Sequence, residues 1–494
     1  MSDSFNPVTP DGDKNMTIAW SENPVTFNLP TADKGTSATR PVLNSAVSLY
    51  SFSPAVVVHP TTEHDIVQIV QAAAHQDLKV RAIGSLHSLA PIPATDGVCI
   101  VLDQYNQLVS LEGNLVTVQA GMKLWELNQL LAQHGLSLPV LGTIALQTVA
   151  GAISTGTHGG ALHHPCLSGY VQALRLVRAD GSVLAIDRSQ ALFDAVVISM
   201  GLLGIVSTIT LECVPAFSLQ TQVCSMPIEQ FLQEFDQIQQ SNQYVDMRYS
   251  PITDTVQMAL MNPAAAPILE NGGWHPTFKS KQAWKRADVI NKWGLRLFNT
   301  HKFNWLQRWC IQQYEQTVYS SPYGRSDFVL THFDASSIDF VRTCLDVPAR
   351  DLISGGDRED FDPVADMEIA IPYDQSQAAL VCLRDHFRQT RRYPSMQIHL
   401  RCTAADNFWL SPAYGQAVCW LEFWEYPRTG DFFQEIVALL QPFHFRGHWG
   451  KEIPVESAYL KQQYDKWADF LALRQTWDPD HRFANACLDD YFDL

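Results

Sequence analysis

Residues 147–160 read Gln-Thr-Val-Ala-Gly-Ala-Ile-Ser-Thr-Gly-Thr-His-Gly-Gly, and they lie within 48 residues between Glu126 and Arg175 that contain no Asp, Glu, Lys or Arg. At the chain's own charged fraction of 17%, about eight charges belong in such a span. A run of small and hydroxyl residues lets main-chain N–H groups approach a bound anion, because Gly and Ala put no side chain in the way and glycine accepts positive φ. With no basic side chain in the stretch, amides and helix N-termini must carry the negative charge. The segment therefore suggests a large, mostly buried nucleotide. A buried glycine-rich turn without a ligand is the alternative.

Other phosphate-binding fingerprints are missing, since neither GxGxxG after a strand nor GxxxxGK[ST] occurs. His158, His163, His164 and Cys166 are metal-ligand types close together, but no acidic residue or second pair at finger spacing accompanies them. No metal site is assigned.

Outward from this stretch, the first half is rich in strands. A β-branched run at 55–60 ends in proline, and Thr61 and Thr62 then precede a helical pattern carrying Ile66, Ile69, Val70 and Ala73. A strand at 79–84 completes a β-α-β unit. Further strands are expected at 98–102, 115–119, 171–177 and 203–211, with an amphipathic helix at 124–134. After about residue 215 longer helical segments, such as 228–240 and 282–305, alternate with strands such as 367–371 and 398–402. A helix is expected over 460–474. This texture divides the chain into an arm (1–45), a first domain (46–215), an inserted domain (216–440) and a C-terminal piece (441–494) that folds back on the first.

Composition narrows the function. The 494 residues carry 34 basic and 51 acidic side chains, a net charge of −17 that opposes binding to nucleic acid or an anionic membrane. The uncharged run 195–211 has 17 residues, short of the roughly 20 that span a bilayer. Its Gly201 and Gly204 mark a helix end, a turn and a buried strand, and no transmembrane segment is expected. The N-terminus lacks the basic start and apolar core of a signal peptide, which points to the cytoplasm. The ten cysteines are never closer than eleven positions, so redox and zinc-ribbon spacings are absent and free thiols are expected.

Three more constellations carry chemistry. Gly84-Ser85-Leu86-His87-Ser88 follows a strand directly, where a backbone can close over a cofactor with His87 aimed at it. Residues 443–451, Phe-His-Phe-Arg-Gly-His-Trp-Gly-Lys, are punctuated by Pro and Gly, so His444, His448 and Glu452 do not share a helix face and the stretch presents Lys451 in extended form. His399 and Arg401 alternate on one strand face, as do Glu422 and Trp424. Paired antiparallel through the connection at 409–414, they line one wall suited to taking a proton from an alcohol. A solvated polar sheet face is the alternative reading.

Together, the segments at 55–62, 84–88, 147–159, 201–206, 367–372, 409–414 and 448–451 resemble, in composition and order, the vanillyl-alcohol-oxidase (PCMH) type of FAD flavoprotein, and within it the aldonolactone oxidase and alditol oxidase family. The resemblance implies an α+β fold with a two-lobed FAD-binding domain (46–215, joined by 441–494) and a substrate-binding cap (216–440) built on an antiparallel sheet flanked by helices. It implies FAD linked covalently through His87. Gly84, Ser85, Leu86, Ser88, Gly151, Ala152, Ser154, Thr155, Gly156, Thr157, His158, Gly159, Ile205, Val206 and His448 correspond to the cofactor-lining positions, and Lys451, Arg401, His399 and Glu422 to the catalytic ones.

The implied reaction is oxidation of a CH–OH group in a sugar lactone or polyol, with molecular oxygen reduced to hydrogen peroxide. A same-fold dehydrogenase using a quinone or cytochrome, and an inactive flavin-binding homologue, are the alternatives. A hydrolase using Ser154 lacks GxSxG. One departure stands out. The family pattern resembles Glu-x-Arg on one cap strand and His-x-Thr on its neighbour, whereas here the strands read His399-x-Arg401 and Glu422-x-Trp424, exchanging acid and imidazole. Trp424 replaces a small hydroxyl residue and narrows the site or offers a stacking plate.

Overall fold

Thr62 starts the first helix as its position suggests. Its side chain accepts from Asp65 N–H while the Asp65 carboxylate accepts from Thr62 N–H, a reciprocal cap on Glu63–His75. Ile66, Ile69, Val70 and Ala73 form the helix's buried face. The computed structural model describes residues 41–45, 50–263, 309, 327–331, 365–425 and 430–494. The helix expected at 282–305 lies outside them.

Around this helix, Val56–Val58, Val98–Val101 and Val80–Ile83 form a parallel sheet with Val98–Val101 in the middle. A second, antiparallel sheet runs Val183–Asp187, Val171–Val177, Ile205–Glu212, Leu115–Gln119 and Leu108–Glu112 in spatial order. The uncharged run before Ile205 turns at Met200 and Gly201, both at positive φ, and again at Gly204, as the sequence suggests.

The third sheet is antiparallel and eight-stranded. Its order is Asp327–Thr331, Ser218–Pro227, Thr255–Pro263, Tyr244–Ser250, Ile398–Thr403, Val418–Glu425, Ala365–Pro372 and Arg446–Gly447. Helices Ile228–Ser241, Ser376–Thr390 and Phe432–Leu440 bury Phe231, Phe235, Leu383, Phe387 and Ile436 with one sheet face. The result is α+β.

Arg446–Gly447 pairs with Ala365–Pro372, so the chain leaves this sheet a few residues later than the expected boundary at 440. The helix expected over 460–474 is two, Ser457–Gln463 and Trp467–Trp477. Tyr464 breaks out in an extended conformation and stacks on Trp449 at 5.4 Å, so tertiary aromatic packing overrides local helix preference. These helices and Ala486–Phe492 pack into the core of the first half of the chain through Leu460, Trp467, Phe470 and Leu488. All eight described cysteines are free, and no helix among the described residues is long and apolar enough to cross a membrane.

Candidate active site

A cavity is lined by residues of the 81–88 turn, by Gln147, Thr148, Ala150, Gly151, Ser154 and Thr155, by part of 200–206, and by His448, Gly450 and Lys451. The charge-free stretch contributes a helix, Val149–Thr155, rather than an open loop. Its first turn is capped by its own Thr148, whose Oγ1 accepts from Gly151 N–H at 3.2 Å. Gly84 is required here, because a Cβ on it would lie 2.2 Å from Thr148 Oγ1.

The turn that carries His87 is fixed from several sides. Leu86 adopts φ of 54°, Tyr50 Oη donates to Ser88 O at 3.1 Å, and Leu89 N–H donates to Gly450 O at 2.8 Å. The last bond ties the His87 turn to the loop bearing Lys451. That loop is held in turn by Trp449, fully buried with Nε1 donating to Leu410 O at 2.7 Å. His448 N–H and Glu452 N–H donate to the carbonyls of Glu368 and Asp366 at 2.9 and 3.0 Å.

Both ring nitrogens of His87 and the hydroxyl of Ser85 are shielded from solvent without a hydrogen-bond partner. Native proteins rarely leave such atoms orphaned, so they fit a polar ligand in this cavity. Burial, with the positive fields of Lys123 and Lys451, lowers the His87 imidazole to about 4. It is therefore neutral at neutral pH and keeps a nitrogen lone pair, the form a histidine needs to bond a flavin carbon.

On the cap side, His399 and Glu422 are direct partners in register on neighbouring antiparallel strands, and Glu368 is the partner of Glu422 on the next. His399 Nδ1 lies 3.0 Å from Glu422 Oε2 and its Nε2 lies 2.9 Å from Asp246 Oδ2. Lys451 Nζ donates to Glu422 Oε1 at 2.7 Å and also to Asp366. Arg401 Nη2 donates to Glu368 Oε1 at 2.5 Å and lies 3.7 Å from Glu422. Arg401 faces Trp420 across the strand pair, and Trp424 faces Asp366. Lys451 Nζ sits 5.5 Å above the Trp424 ring.

These contacts set the charges. Burial pushes Glu422 upward, but Lys451, His399 and Arg401 prevail and hold it well below the usual carboxylate range. Arg401 and His158 do the same for Glu368 against burial. Burial, aided by the Glu422 and Glu368 charges and opposed by Lys451, leaves Asp366 well above that range. Lys451 is raised despite burial because Asp366, Glu422 and Glu368 surround it.

Of the cofactor candidates, Gly84, Ser85, Leu86, His87, Ser88, Gly151, Ser154, Thr155, Ile205, Val206 and His448 line the cavity, as does Lys451. Ala152, Gly156, Thr157, His158 and Gly159 are not among its lining residues, because the helix turns Ala152 inward and the chain after Gly156 runs toward the cap. His158 instead stacks on Trp420 at 3.7 Å with its Nε2 3.1 Å from Glu368 Oε1. Glu422, His399 and Arg401 do not line the cavity either. Glu422 touches Lys451, and His399 and Arg401 touch Glu422.

Asp246, Asp366, Glu368 and Trp420 were missed in the sequence. Their signal was the in–out alternation of Asp366, Glu368 and Ala370 and of Asp246 and Arg248, which is mute until neighbouring strands are known. His158, Glu368 and His448 hold ligand-type atoms within 4.8 Å of one another. Glu368 is occupied by Arg401, and His448 Nδ1 accepts from Gly450 N–H at 3.0 Å, which places the proton of the neutral ring on Nε2. The trio is organised as a hydrogen-bonded charge cluster rather than as a ligand set.

Residues 54–187 match the family described as "FAD binding domain", and residues 362–491 the family described as "D-arabinono-1,4-lactone oxidase". The chain is 28% identical over 438 residues to an L-gulono-1,4-lactone dehydrogenase of Mycobacterium tuberculosis, covering 88% of this chain and 95% of that one. It is 25% identical over 457 residues to the L-gulonolactone oxidase of Mus musculus, covering 90% and 96%. A D-arabinono-1,4-lactone oxidase of Kluyveromyces lactis matches at 30% over 247 residues, 48% of this chain and 47% of that one. Among solved structures, cholesterol oxidase of Brevibacterium sterolicum superposes with a TM-score of 0.74 at 15% identity, covering 94% of this chain and 100% of that one. That likeness is one of fold.

Proposed function

We propose that this chain, which matches an FAD binding domain family over residues 54–187 and a D-arabinono-1,4-lactone oxidase family over residues 362–491 and is similar along most of its length to an L-gulono-1,4-lactone dehydrogenase and an L-gulonolactone oxidase, oxidises a CH–OH group of a sugar-derived lactone or polyol, with oxygen as the final acceptor and hydrogen peroxide as product. Bound FAD supplies the two-electron acceptor for the carbinol hydrogen. The observation that carries the reading is Lys451, which lines the cavity beside the orphaned nitrogens of His87 and holds the Glu422 carboxylate just behind the wall.

In this reading Glu422 takes the hydroxyl proton as the carbon–hydrogen bond breaks, so the acid and imidazole keep their partnership with strands exchanged. Lys451 holds the substrate oxygen and Glu422 together. His399 and Arg401 act from behind, orienting Glu422 and keeping it ionised. Trp424, under Lys451, gives a flat apolar plate for a lactone ring. His87, neutral and buried, provides the link to the flavin, and the 84–88 and 149–155 segments hold the cofactor.

A dehydrogenase passing electrons to a quinone or cytochrome is the second reading, favoured by the name of the M. tuberculosis relative. Stopped-flow reoxidation of the lactone-reduced protein separates them. Oxidation by air with stoichiometric peroxide supports the oxidase, and slow reaction with oxygen but fast reaction with a quinone supports the dehydrogenase.

A further inference from the structure

Arg81 lies on the strand Val80–Ile83, is 4% exposed and lines the cavity. Its Nη1 donates to Phe483 O at 2.7 Å and its Nη2 to Met200 O at 2.8 Å. Its Nε has no partner. None of the described carboxylates pairs with it; besides the two carbonyls, the thiols of Cys99 and Cys487 favour its charge. Burial thus lowers this guanidinium to about 10. Buried cations are normally paired, since an isolated one is costly.

Two features separate Arg81 from an arginine that merely ties main chain together. Arg446 is also buried and bonded to carbonyls, of Gln463, Pro412 and Tyr414, but it is not among the residues lining the cavity. Secondly, Ser85 Oγ, four residues after Arg81 on the same cavity wall, is another shielded donor with no acceptor. Arg81 Nε–H and the Ser85 hydroxyl are thus two shielded donors without acceptors at residues lining one cavity.

We propose that Arg81 is the cationic anchor for the diphosphate of the bound flavin dinucleotide, with Ser85 completing the donor set. The charge-free stretch then does not bear the anion by amides alone. A residue 70 or so positions earlier neutralises it. The inference rests on the FAD reading above, but it concerns binding and not turnover.

The test titrates full-length apoprotein, prepared from a riboflavin-starved host, with ADP and with adenosine by calorimetry, and follows FAD uptake in parallel. Wild-type apoprotein should prefer ADP over adenosine, and Arg81→Gln should cut that preference about 10- to 100-fold, the worth of a charge-assisted contact, while leaving adenosine binding unchanged. Arg81→Lys, which keeps the charge, should retain most of the preference and carries the test if the Gln variant does not fold. A wild-type protein indifferent to the diphosphate overturns the proposal, as does an Arg81→Gln variant with an unaltered ADP preference or a folded Lys variant without one. Wild-type protein that takes up no FAD defeats the functional reading itself, a different outcome.

Discussion

His399 and Glu422 face each other across neighbouring antiparallel strands, Nδ1 to Oε2 at 3.0 Å, and Glu422 gives its other oxygen to Lys451 at 2.7 Å. Of the two, Glu422 is the one in contact with the cavity-lining Lys451, and His399 stands behind it. Glu422→Gln should slow anaerobic flavin reduction about 100- to 10,000-fold, the usual worth of a general base. His399→Ala, acting through Glu422, should slow it less. Reduction rates unchanged in both variants would sink the assignment.

Glu368 is a buried carboxylate shared by Arg401 and His158. Removing one member of such a cluster strands the other charge, so Glu368→Gln should cost about 3–5 kcal/mol in urea denaturation. Replacing Asp366, whose carboxyl burial pushes well above the usual carboxylate range, by the near-isosteric Asn should cost less. An order reversed between the two variants contradicts the charge assignment.

His87 links stability to pH. Its folded value of about 4 is depressed from an ordinary 6.5, so the folded apoprotein binds fewer protons there than the unfolded chain. Its contribution is complete above pH 6.5 and is lost as pH falls from about 6.5 towards 4. Thermal melts of apo wild type across that window should slope more steeply than those of His87→Gln. Parallel curves would show that His87 does not titrate as buried.

Gly84→Ala should push the His87 turn off Thr148, given a Cβ only 2.2 Å from Oγ1, at a cost of about 1–3 kcal/mol. Thr148→Ala loses a helix cap, typically about 1 kcal/mol, but makes room. The double variant should therefore be more stable than the sum of the single losses predicts, and strict additivity would mean that the two do not touch.

The sheets and first helix were legible because apolar alternation and a Thr cap are local signals, as at Val171–Val177 and Glu63–His75. That His399 and Glu422 could share a wall was legible from strand alternation, but their register was not, because both faces of both strands are buried and the apolar pattern does not choose one. Asp246, Asp366 and Glu368 were not legible, because a buried carboxylate is recognised by partners far away in sequence, here His399, Lys451 and Arg401. Arg81 was hidden likewise, since its partners Met200 and Phe483 lie 119 and 402 positions further along the chain. The break at Tyr464 reflects stacking on Trp449, which no helical periodicity encodes.

The cofactor link has its own test. Acid precipitation should leave flavin in the protein pellet of wild type and release it from His87→Ala. Flavin freed from both would keep the fold and remove His87 as the attachment point.

The most direct measurement of the central claim is the anaerobic spectrum of purified, FAD-loaded protein mixed with aldono-1,4-lactones and with polyols. Bleaching of the flavin band by at least one of them is expected, at a rate that Glu422→Gln slows by about 100-fold or more. A protein that holds flavin yet is reduced by no lactone or polyol would contradict that claim.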